Sequence, residues 1–454
     1  YLTRTPGSAG NRKTWTYSAW IKRGKISDTT SMFSAWSADS IGSHCVIQFD
    51  SNDLLDISTW SVNVLTTTAK YRDPSAWYHI VMAVDTTQTT ASDRVKFYVN
   101  GEQVTSFSTS NYPAEDFEFA VNNSVIQTIG SNNYSSNTSF WNGSMANVEM
   151  VDGQQLTPAY FGSTDSNTGI WKPGGSSAIS DYGTNGFKLK MDTTSPGADT
   201  SGKGNTFTPS GTPTLLQGSP SNVYANLNSL VTYGTNQNAL SEGNTTLTGI
   251  AYHRPSPPTI SVNSGKWYFE AKAVSGASTK WWIGLCDTEY DTNNQGATSS
   301  TANYIWGYDG TTNAVNQRSQ CIYSNDLRDG GSNIAISSIF SAGGIAVNDI
   351  YAMAVDLDNQ KVWYSKNGVW NNGSGGESTT WNSSYPDSTN IDSGRDYLIG
   401  IGGENSKWSV NYGEGFFGTT AAGTNADGNG QGLFAYAVPS GYYALNTKNL
   451  EAYG

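Results

Sequence analysis

The chain has 454 residues, more than a single hydrophobic core usually serves, so its length predicts at least two domains. The formal net charge of −12 leaves no basic surface to neutralise phosphates, which argues against nucleic acid as a partner, and the apolar runs are too short for membrane insertion. Only 14% of the residues are charged, 12% are aromatic and 49 are glycine, a composition typical of β-rich proteins with many turns.

The cysteines and histidines favour neither a disulfide framework nor a zinc site. The three cysteines, Cys45, Cys286 and Cys321, are too few and odd in number, so we expect buried thiols, with a Cys286–Cys321 pair as the alternative. The three histidines are far apart and have no metal-ligand spacing. The chain opens on Tyr1 rather than methionine, which indicates a processed form or a fragment of a longer polypeptide.

Strand patterns dominate the first third of the chain. Apolar and polar residues alternate in WTYSAWIKRG, HCVIQFD, AWYHIVMAVD and RVKFYVNG, and again in FWNGSMANVEMVD. The segment QQLTPAYFG is the exception, because Thr157 can cap a helical turn and Pro158 can occupy its first position. We therefore predict strands joined by tight turns, with one short helical turn.

One phrase occurs twice, as MAVD followed by a polar gap and an aromatic run that ends in Asn-Gly. The first copy ends at Asn100-Gly101 and the second at Asn367-Gly368. In each copy the apolar residues alternate, as in a half-buried strand, and Asn-Gly supplies the positive φ angles of a hairpin turn. We interpret the repeat as two hairpins built by the same rule, with Trp363 on the outward face of the second.

A loop-like segment rich in Gly, Pro, Ser and Thr, residues 166–258, separates the two strand-rich parts. Its apolar residues are frequent enough to anchor it, so we predict an ordered connector docked on a neighbouring surface. Two similar closing phrases, PSNVYA at 220–225 and PSGYYA at 439–444, lie near the end of the connector and in the C-terminal tail, 419–454. The second phrase suggests that the polypeptide continues into a further module.

The strand-rich parts carry motifs of two domain families. Residues 1–165, with WTYSAWIKRG, AWYHIVMAVD, RVKFYVNGEQV and MANVEMVDGQQLTPAYFG, resemble the laminin-G-like and pentraxin-like branch of concanavalin A-like jelly rolls. Residues 259–418, with GKWYFEAKAV, WWIGLCD, IYAMAVDLDNQKVWYSKNGVW, YLIGIGG and WSVNYGEGFF, resemble a SPRY (B30.2-like) domain. The resemblances imply an all-β fold of two antiparallel β-sandwiches, the first a concanavalin A-like jelly roll and the second SPRY-like, joined by the irregular docked connector.

The tandem, with YGTNGFKLKM, DTSGKGNTF and the two closing phrases, also resembles structural proteins of tailed bacteriophages, marine (cyanophage-type) ones in particular. That resemblance implies a non-enzymatic, extracellular protein of the virion surface: a fibre or tail-associated receptor-binding protein that adheres to a host cell-surface glycan. Its partners would be other virion proteins and further copies of the chain, in a homo-oligomer. A structural capsid decoration or spike is the first alternative, and a cryptic polysaccharide hydrolase is the second.

A retaining hydrolase of the jelly-roll type needs two carboxylates about 5 Å apart, at alternating positions of one strand. The nearest candidate is residues 115–118, EDFE, whose acids do not follow the required alternation and fit a solvated strand end. Glu270 in KWYFEAK has no acidic partner two or four residues away. We therefore predict that the protein is not an enzyme.

Calcium is the candidate cofactor, because laminin-G-like and pentraxin-like domains often bind it through loop carboxylates, amides and carbonyls, the ligands of a hard cation. Asp50, Asp53 and Asp56 form the densest acidic cluster of the first module, and Asp199 with Asn205 lies in a loop of suitable chemistry. Neither set has EF-hand spacing. Aspartate and asparagine also form turns, and in that alternative the protein has no cofactor.

Glycan recognition needs aromatic faces that stack on sugar rings, with neutral amides and hydroxyls beside them, on loops held by a rigid sandwich. The candidates that fit this chemistry are Tyr134, Trp141, Asn142, Tyr290, Trp363, Trp370 and Trp381. Tryptophan also fills the cores of β-sandwiches and buried subunit interfaces, and this structural role is the alternative for each candidate.

Overall fold

The computed structural model describes residues 1–134, 136–174, 178–192, 195–231, 238–250, 254–276, 281–288, 319–323, 326–329, 332–335, 346–373, 376–389 and 391–454. The chain divides into two compact units: unit 1 comprises Tyr1–Leu215 and Ser219–Ser221, and unit 2 comprises Leu216–Gly218 and Asn222–Gly454. Both units are built from antiparallel sheets, which confirms the predicted all-β fold of two sandwiches. No helix in the described part of the chain combines the length and hydropathy of a membrane span.

Unit 1 contains two large sheets, A and B. Its strands are β1 (Leu2–Arg4), β2 (Thr14–Arg23), β3 (Thr30–Trp36), β4 (His44–Phe49), β5 (Leu54–Thr59), β6 (Val62–Lys70), β7 (Trp77–Asp85), β8 (Val95–Val99), β9 (Glu102–Gln103), β10 (Phe107–Ser110), β11 (Ile126–Ile129), β12 (Asn132–Tyr134), β13 (Ser136–Thr138), β14 (Gly143–Asp152), β15 (Gly162–Thr164), β16 (Trp171–Pro173), β17 (Phe187–Leu189) and β18 (Thr208–Pro209). Sheet A has the order β10-β6-β5-β4-β3-β11-β1-β18, and sheet B has the order β17-β14-β2-β7-β8-β9. Two 3₁₀ turns, Ala91–Asp93 and Pro158–Tyr160, lie in the described part of the unit, and the second begins at Pro158 as predicted.

Sheets A and B pack face to face around the core of unit 1. Because side chains alternate along a strand, β2 directs Trp15, Tyr17 and Ile21 into this core, where they meet Phe33 and Cys45 of sheet A. All five side chains are fully buried, and Cys45 is a free thiol, as predicted. Burial of such large apolar side chains is the main source of the unit's stability.

The outer face of sheet B is covered by side chains from the segment after β14, among them Trp171. Its Nε1 donates to His79 Nδ1 at 2.9 Å, and the His79 ring stacks on both Trp171 and Trp20, with centroid separations of 5.9 and 4.7 Å. Since Nδ1 accepts, the proton of the neutral ring lies on Nε2, 2.9 Å from Ser18 Oγ. Burial lowers the pKa of His79 to about 3, so this histidine is neutral at physiological pH.

Unit 2 contains sheets C and D. Its strands and its one described α-helix are β19 (Ala239–Ser241), β20 (Thr246–Thr248), β21 (Arg254–Ser256), β22 (Lys266–Ser275), β23 (Trp281–Asp287), β24 (Ser319–Tyr323), β25 (Asp326–Asp329), β26 (Ser332–Ala335), β27 (Ile350–Asp356), β28 (Lys361–Lys366), β29 (Val369–Asn371), β30 (Glu377–Ser378), β31 (Tyr397–Gly403), β32 (Lys407–Asn411), β33 (Phe416–Phe417), β34 (Thr420–Ala421), β35 (Tyr443–Ala444) and α1 (Thr447–Tyr453). Sheet C has the order β19-β20-β32-β22-β27-β28-β29-β30, with β35 parallel to the start of β22, and sheet D has the order β21-β31-β23-β24-β25-β26.

The core of unit 2 lies between sheets C and D and is rich in aromatic rings. Trp281 of sheet D stacks on Trp408 of sheet C with centroids 5.1 Å apart. A second apolar cluster lies on the outer face of sheet C, where Phe434 and Tyr442 from the C-terminal part of the chain cover Trp363. Strands β22, β27 and β28 of sheet C are therefore covered on both faces.

The predicted connector, residues 166–258, is shared between the two units. Its first part adds β17 to the edge of sheet B and places Phe207 in the core of unit 1, in edge contact with Phe187 at 4.7 Å. Its last part places Tyr224 in the cluster on the outer face of sheet C. The predicted C-terminal tail, residues 419–454, packs on that same face and supplies β35 and α1.

In each Asn-Gly turn of the repeated phrase the glycine packs against an aromatic ring. These two glycines, Gly101 and Gly368, are termed the seats. In unit 1, Gly101 (φ +87°) lies against Trp171, and a Cβ atom added to this glycine would be 2.7 Å from Trp171 Cε3. In unit 2, Gly368 (φ +75°) lies against Tyr436, and its added Cβ would be 2.5 Å from Tyr436 Cδ1. Each turn therefore needs glycine for two reasons, the positive φ and the close approach of a ring.

Alanine at either seat is expected to destabilise its unit by more than the strain of a positive φ. Gly153 (φ +94°) in unit 1 and Gly441 (φ +82°) in unit 2 have no atom within 4 Å of an added Cβ, so their alanine variants report strain alone. Since the seat variants must also displace a ring, Gly101→Ala and Gly368→Ala should exceed these controls by about 1–3 kcal/mol in urea unfolding. Equal losses in seat and control variants would show that the rings move freely.

Candidate functional site

The outer face of sheet A carries a row of aromatic side chains. Trp36 at the end of β3 pairs with His44 at the start of β4, and Trp60 directly follows β5, the neighbour of β4. Side chains alternate along a strand, so these rings lie on the face opposite to the core residue Cys45. His44 is buried, and Trp36 and Trp60 are half-buried. Together with Tyr134, these three residues are termed the aromatic row.

Tyr134 reaches the aromatic row from the hairpin of β12 and β13. Asn133 N donates to Ser34 Oγ at 2.9 Å, which fixes the hairpin to the outer face of β3. The Tyr134 ring stacks on Trp60 with centroids 4.8 Å apart and an interplanar angle of 25°. Its centroid also lies 5.9 Å from that of His44. Three rings from three separate elements therefore form one continuous surface.

Polar groups border the aromatic row. His44 Nε2 and Asn132 Oδ1 are 3.0 Å apart, which places the imidazole proton on Nε2 when the amide oxygen accepts. Tyr134 OH donates to Asp39 Oδ2 at 3.4 Å. Burial lowers the pKa of His44, and partial desolvation with the nearby Asp39 charge raises the pKa of Tyr134. At neutral pH the row therefore presents uncharged rings beside the Asp39 carboxylate.

A row of polar side chains, Gln48, Asp56, Ser58 and Asn63, continues the same face of sheet A and is termed the polar row. Ser58 lies two residues before Trp60, about 7 Å along the strand. Its Oγ is 2.7 Å from Asp56 Oδ2 and 3.1 Å from Asn63 Oδ1. Gln48 Nε2 donates to Asp56 Oδ2 at 3.2 Å. Burial raises the pKa of Asp56 to about 6, although the hydrogen bonds from Ser58 and Gln48 lower it.

The two rows together offer the chemistry of a carbohydrate site. Aromatic faces pack against the apolar faces of sugar rings, and polar groups beside them bond sugar hydroxyls. In the polar row the accessible groups are the amides of Gln48 and Asn63, because Asp56 and Ser58 are 2% and 7% exposed and bond each other. Most of these side chains project from paired strands, so the ladder hydrogen bonds fix their spacing before a ligand arrives. The arrangement can therefore bind a rigid ligand without first ordering a loop.

The three ligand contacts predicted in unit 1, Tyr134, Trp141 and Asn142, lie in different surroundings. Tyr134 belongs to the aromatic row. Trp141 instead packs against the core beside Phe49, with ring centroids 6.3 Å apart. Asn142 follows Trp141, and its carbonyl accepts from Gly24 N at 2.9 Å. Trp141 and Asn142 are therefore placed by contacts with the core and with the chain after β2.

The structure corrects the expectation that Trp363 and Trp370 present ring faces to a ligand. Trp363 lies on the outer face of sheet C, as predicted, but it is 2% exposed, and Trp370 is 3% exposed. The rings of Tyr442 and Trp381 pack edge-on against Trp363, with centroids 5.9 and 5.6 Å away. Half-buried Trp381 is part of this cover. Tyr290 lies outside the described residues.

Asp53, a predicted calcium ligand, is the centre of a buried ion-pair network. Its carboxylate oxygens lie 3.0 Å from Arg23 Nη2 and 3.2 Å from Arg72 Nε, and Ser27 N donates to it at 2.7 Å. The Arg23 and Asp53 side chains are 0% and 3% exposed. Because two guanidinium groups already supply positive charge, the geometry favours the structural alternative for this residue.

The remaining predicted metal ligands also have protein partners. Asp50 accepts two backbone N–H bonds within its own loop. Asp199 accepts from the N–H groups of Lys188 and Asn205 at 2.9 and 2.7 Å, and Asn205 Oδ1 accepts from the Arg4 guanidinium. Among the described residues, no group of three or more His, Cys, Asp or Glu side chains is arranged to hold a metal ion.

The carboxylates considered for catalysis are either paired with cations or buried. Glu118 Oε2 lies 2.6 Å from Arg12 Nη1, and Asp116 Oδ1 lies 3.1 Å from Lys13 Nζ. Glu270 is fully buried on the outer face of sheet C. Each of these acids therefore has a structural role that the geometry accounts for.

Sequence reasoning missed Trp36, His44 and Trp60. The signal was present, because the alternation in TSMFSAW and HCVIQF places Trp36 and His44 on the polar faces of their strands. What brings the three rings into line is the register of β3, β4 and β5. Register cannot be read from segments that are separated by loops of unequal length.

Two family models match the chain. A model of the concanavalin A-like lectin/glucanases superfamily, Laminin_G_3, matches residues 1–159, which contain the aromatic row and the polar row. A model of the SPRY domain matches residues 266–374. The resemblances to these two domain families are therefore supported over those residues. No curated protein matches the chain significantly.

Three solved structures illustrate the partial structural matches. A Bacteroides ovatus protein, provisionally described as carbohydrate binding, is 17% identical over 46% of this chain and 55% of its own, with a TM-score of 0.32. The chain thus spans about half the length of that protein. A heptameric SAP-like pentraxin from Limulus polyphemus is 15% identical over 34% of this chain and 71% of its own, with a TM-score of 0.26. The SPRY domain of human HERC1 is 11% identical over 37% of this chain and 87% of its own, with a TM-score of 0.24.

Proposed function

We propose that the protein recognises glycans through the aromatic and polar rows of unit 1, without catalysis, as a fibre or tail-associated receptor-binding protein on a bacteriophage virion. The observation that carries glycan recognition is the Tyr134 ring stacked on Trp60, beside amide, hydroxyl and carboxylate groups on one face of a sheet. The match of these residues to a lectin and glucanase superfamily supports the same ligand class.

A small site of this kind is expected to bind one or a few sugar residues weakly. Aromatic packing contributes about 0.5–1.5 kcal/mol per ring beyond area burial, and hydrogen bonds to sugar hydroxyls largely replace bonds to water. A homo-oligomer would present several copies of the site together, and such multivalent presentation raises the overall affinity without new contacts. The proposed host-surface glycan, which repeats many times, suits this mode of binding.

The proposal of a non-catalytic protein is supported by the partners of its acids. Glycoside hydrolysis uses two carboxyl groups about 5–9.5 Å apart, one of which must be free to protonate the leaving group. Glu118 and Asp116 are held in ion pairs, and Glu270 is buried under the C-terminal part of the chain. Release of reducing sugar from host polysaccharide by the full chain would overturn this part of the proposal.

The virion assignment, and the extracellular location and virion partners that go with it, are supported by the resemblance of the tandem modules and closing phrases to tailed-phage structural proteins. Quantitative mass spectrometry of intact virions tests it through the copy number. Tens of copies or fewer per particle are expected for a fibre or tail protein. Hundreds of copies would favour the capsid decoration instead, and absence from the particle would overturn the assignment.

Alanine at Trp60 or Tyr134 is expected to weaken glycan binding by about tenfold or more, since losing a stacked ring removes about 1.5 kcal/mol. The binding glycan is first found on a printed array with the full chain, and its affinity is then measured by calorimetry. Tyr160→Ala is the matched control, because Tyr160 is 37% exposed and lies in the 3₁₀ turn after β14. Unchanged affinity in both row variants, with the fold intact, would exclude the aromatic row as the binding site.

A further inference from the structure

The charges around the aromatic row point to the class of glycan that it binds. Resting on the proposed function of this face, we infer that the site selects uncharged glycans over acidic ones that carry carboxylate or sulfate groups. The side chains that border the rings and the positions of two cations of unit 1 both favour an uncharged ligand.

The border of the aromatic row is acidic. Asp39 is exposed and accepts a hydrogen bond from Tyr134 OH at 3.4 Å, so its carboxylate lies beside one ring of the row. The polar row adds Asp56, which is buried and bonded by Ser58 and Gln48, so it acts on a ligand through its charge and not by contact. An acidic sugar stacked on the Tyr134 ring would bring its own negative charge toward Asp39, with Asp56 farther along the same face.

Two cations of unit 1, Arg12 and Lys70, lie along this face and are held away from the row. Arg12 reaches Gly42 O at 3.3 Å, but its guanidinium is paired with Glu118 at 2.6 Å. Lys70 pairs with Leu54 at the far end of sheet A, six residues along β5 from Trp60, which is about 20 Å. Neither is placed to neutralise a ligand carboxylate at the row.

His44 does not compensate for this acidity. Its pKa is lowered by burial, so the imidazole is uncharged at neutral pH, and its Nε2 is directed to Asn132 Oδ1 at 3.0 Å. Recognition of a carboxylate or sulfate usually relies on an arginine fork or a lysine ammonium, which form charge-assisted hydrogen bonds with the anion. The groups at the row instead suit the hydroxyls of a neutral sugar, which donate and accept.

The test is a printed array in which each uncharged oligosaccharide stands beside its sialylated or sulfated form, probed with the full chain at 0.1 M salt. Neutral members are expected to bind about tenfold more strongly than their acidic counterparts, since each exposed carboxylate some 5–8 Å from a ligand charge disfavours that charge severalfold even at a dielectric close to that of water. Asp39→Asn, which keeps an acceptor for Tyr134 OH, is expected to narrow the preference to about threefold. Raising the salt to 1 M should narrow it as well, because the Debye length falls to about 3 Å.

The outcomes separate the two proposals. Equal or stronger binding of the acidic members, abolished by Trp60→Ala, would overturn the inferred selectivity and leave glycan binding intact. A preference for neutral glycans that stays the same in the Asp39→Asn variant would also overturn the inferred selectivity, because the Asp39 charge would then not be the cause of the preference. Absence of binding to every member of the array would overturn the proposed function itself.

Discussion

Replacing Asp53 with asparagine is expected to destabilise unit 1 by about 3 kcal/mol, near the lower end of the range for breaking a buried ion pair. Asparagine keeps the shape of the side chain and tolerates the left-handed backbone of this position, φ +67°, so the charge is what changes. Arg23 then lies buried without its counter-charge. The carbonyl oxygens of Tyr71 and Lys25 and the ring of Phe49 remain beside its guanidinium, and none of them is charged.

Native-state hydrogen exchange of the β2 and β5 amides is the suitable measurement, because it reports unit 1 separately from unit 2. Asp50→Asn is the matched control in the same loop, where the carboxylate accepts backbone N–H bonds of Asn52 and Leu54. The control is expected to lose about 1 kcal/mol or less. If Asp53→Asn loses no more stability than the Asp50→Asn control, the buried ion pair does not stabilise unit 1.

The second large loss of stability is expected for the Glu270→Gln variant, in unit 2. The two carboxylate oxygens of Glu270 accept from Ala435 N and Tyr436 N at 2.9 and 3.0 Å. They also accept from Tyr268 OH at 3.0 Å and from Asn411 Nδ2 at 3.4 Å. Burial raises the pKa of Glu270 to about 7, and these donated hydrogen bonds act in the opposite direction. The carboxylate thus fastens the C-terminal part of the chain to the outer face of sheet C.

An amide in place of this carboxylate turns a donor toward groups that are themselves donors. At least one buried N–H or O–H then loses its acceptor, at about 1–3 kcal/mol for each such group, so we expect a loss of about 3 kcal/mol. Exchange of the Ala435 and Tyr436 amides should accelerate with it. Glu451→Gln, on the exposed face of α1, is the control and should change stability by about 0.5 kcal/mol or less. Unchanged exchange at Ala435 and Tyr436 would show that Glu270 does not hold this segment.

Local patterns in the sequence predicted the strands and turns well. Asp85 and Asp356, the aspartates of the repeated MAVD phrase, form turns at strand ends, because they accept the N–H groups of Thr87 and Asn359 at 3.1 and 2.9 Å. Both residues act within a few positions of their own place in the chain. Interactions of that kind can be read from a short segment, since its neighbours decide them.

Contacts between distant segments were not predictable in the same way. Alternation assigned Trp363 to an outward face, but what covers it comes from residues near 381 and 434–442. Likewise, the Asn-Gly turns were recognised as turns, whereas their use as seats for Trp171 and Tyr436 depends on how the chain returns over each sheet. A strand pattern fixes which way a side chain points, and only the tertiary fold determines whether that side is covered.

The aromatic row shows the same limit for the candidate site. Tyr134 was selected for its chemistry alone, among other aromatic residues of similar context. Trp60 could not be recognised in the same way, because it lies in a short turn between two strands and has no sequence neighbour that suggests a ligand. Sheet register and the β12–β13 hairpin bring the two rings within 4.8 Å.

Glycan binding is proposed on the outer face of sheet A in unit 1. The decisive measurement is hydrogen exchange of the full chain, with and without the tightest-binding glycan of the array. Exchange is expected to slow at residues 58–61 and 132–134 on binding, with no change at residues 362–371 of unit 2. Protection confined to unit 2, or binding that leaves the amides of 58–61 and 132–134 unaffected, would contradict it.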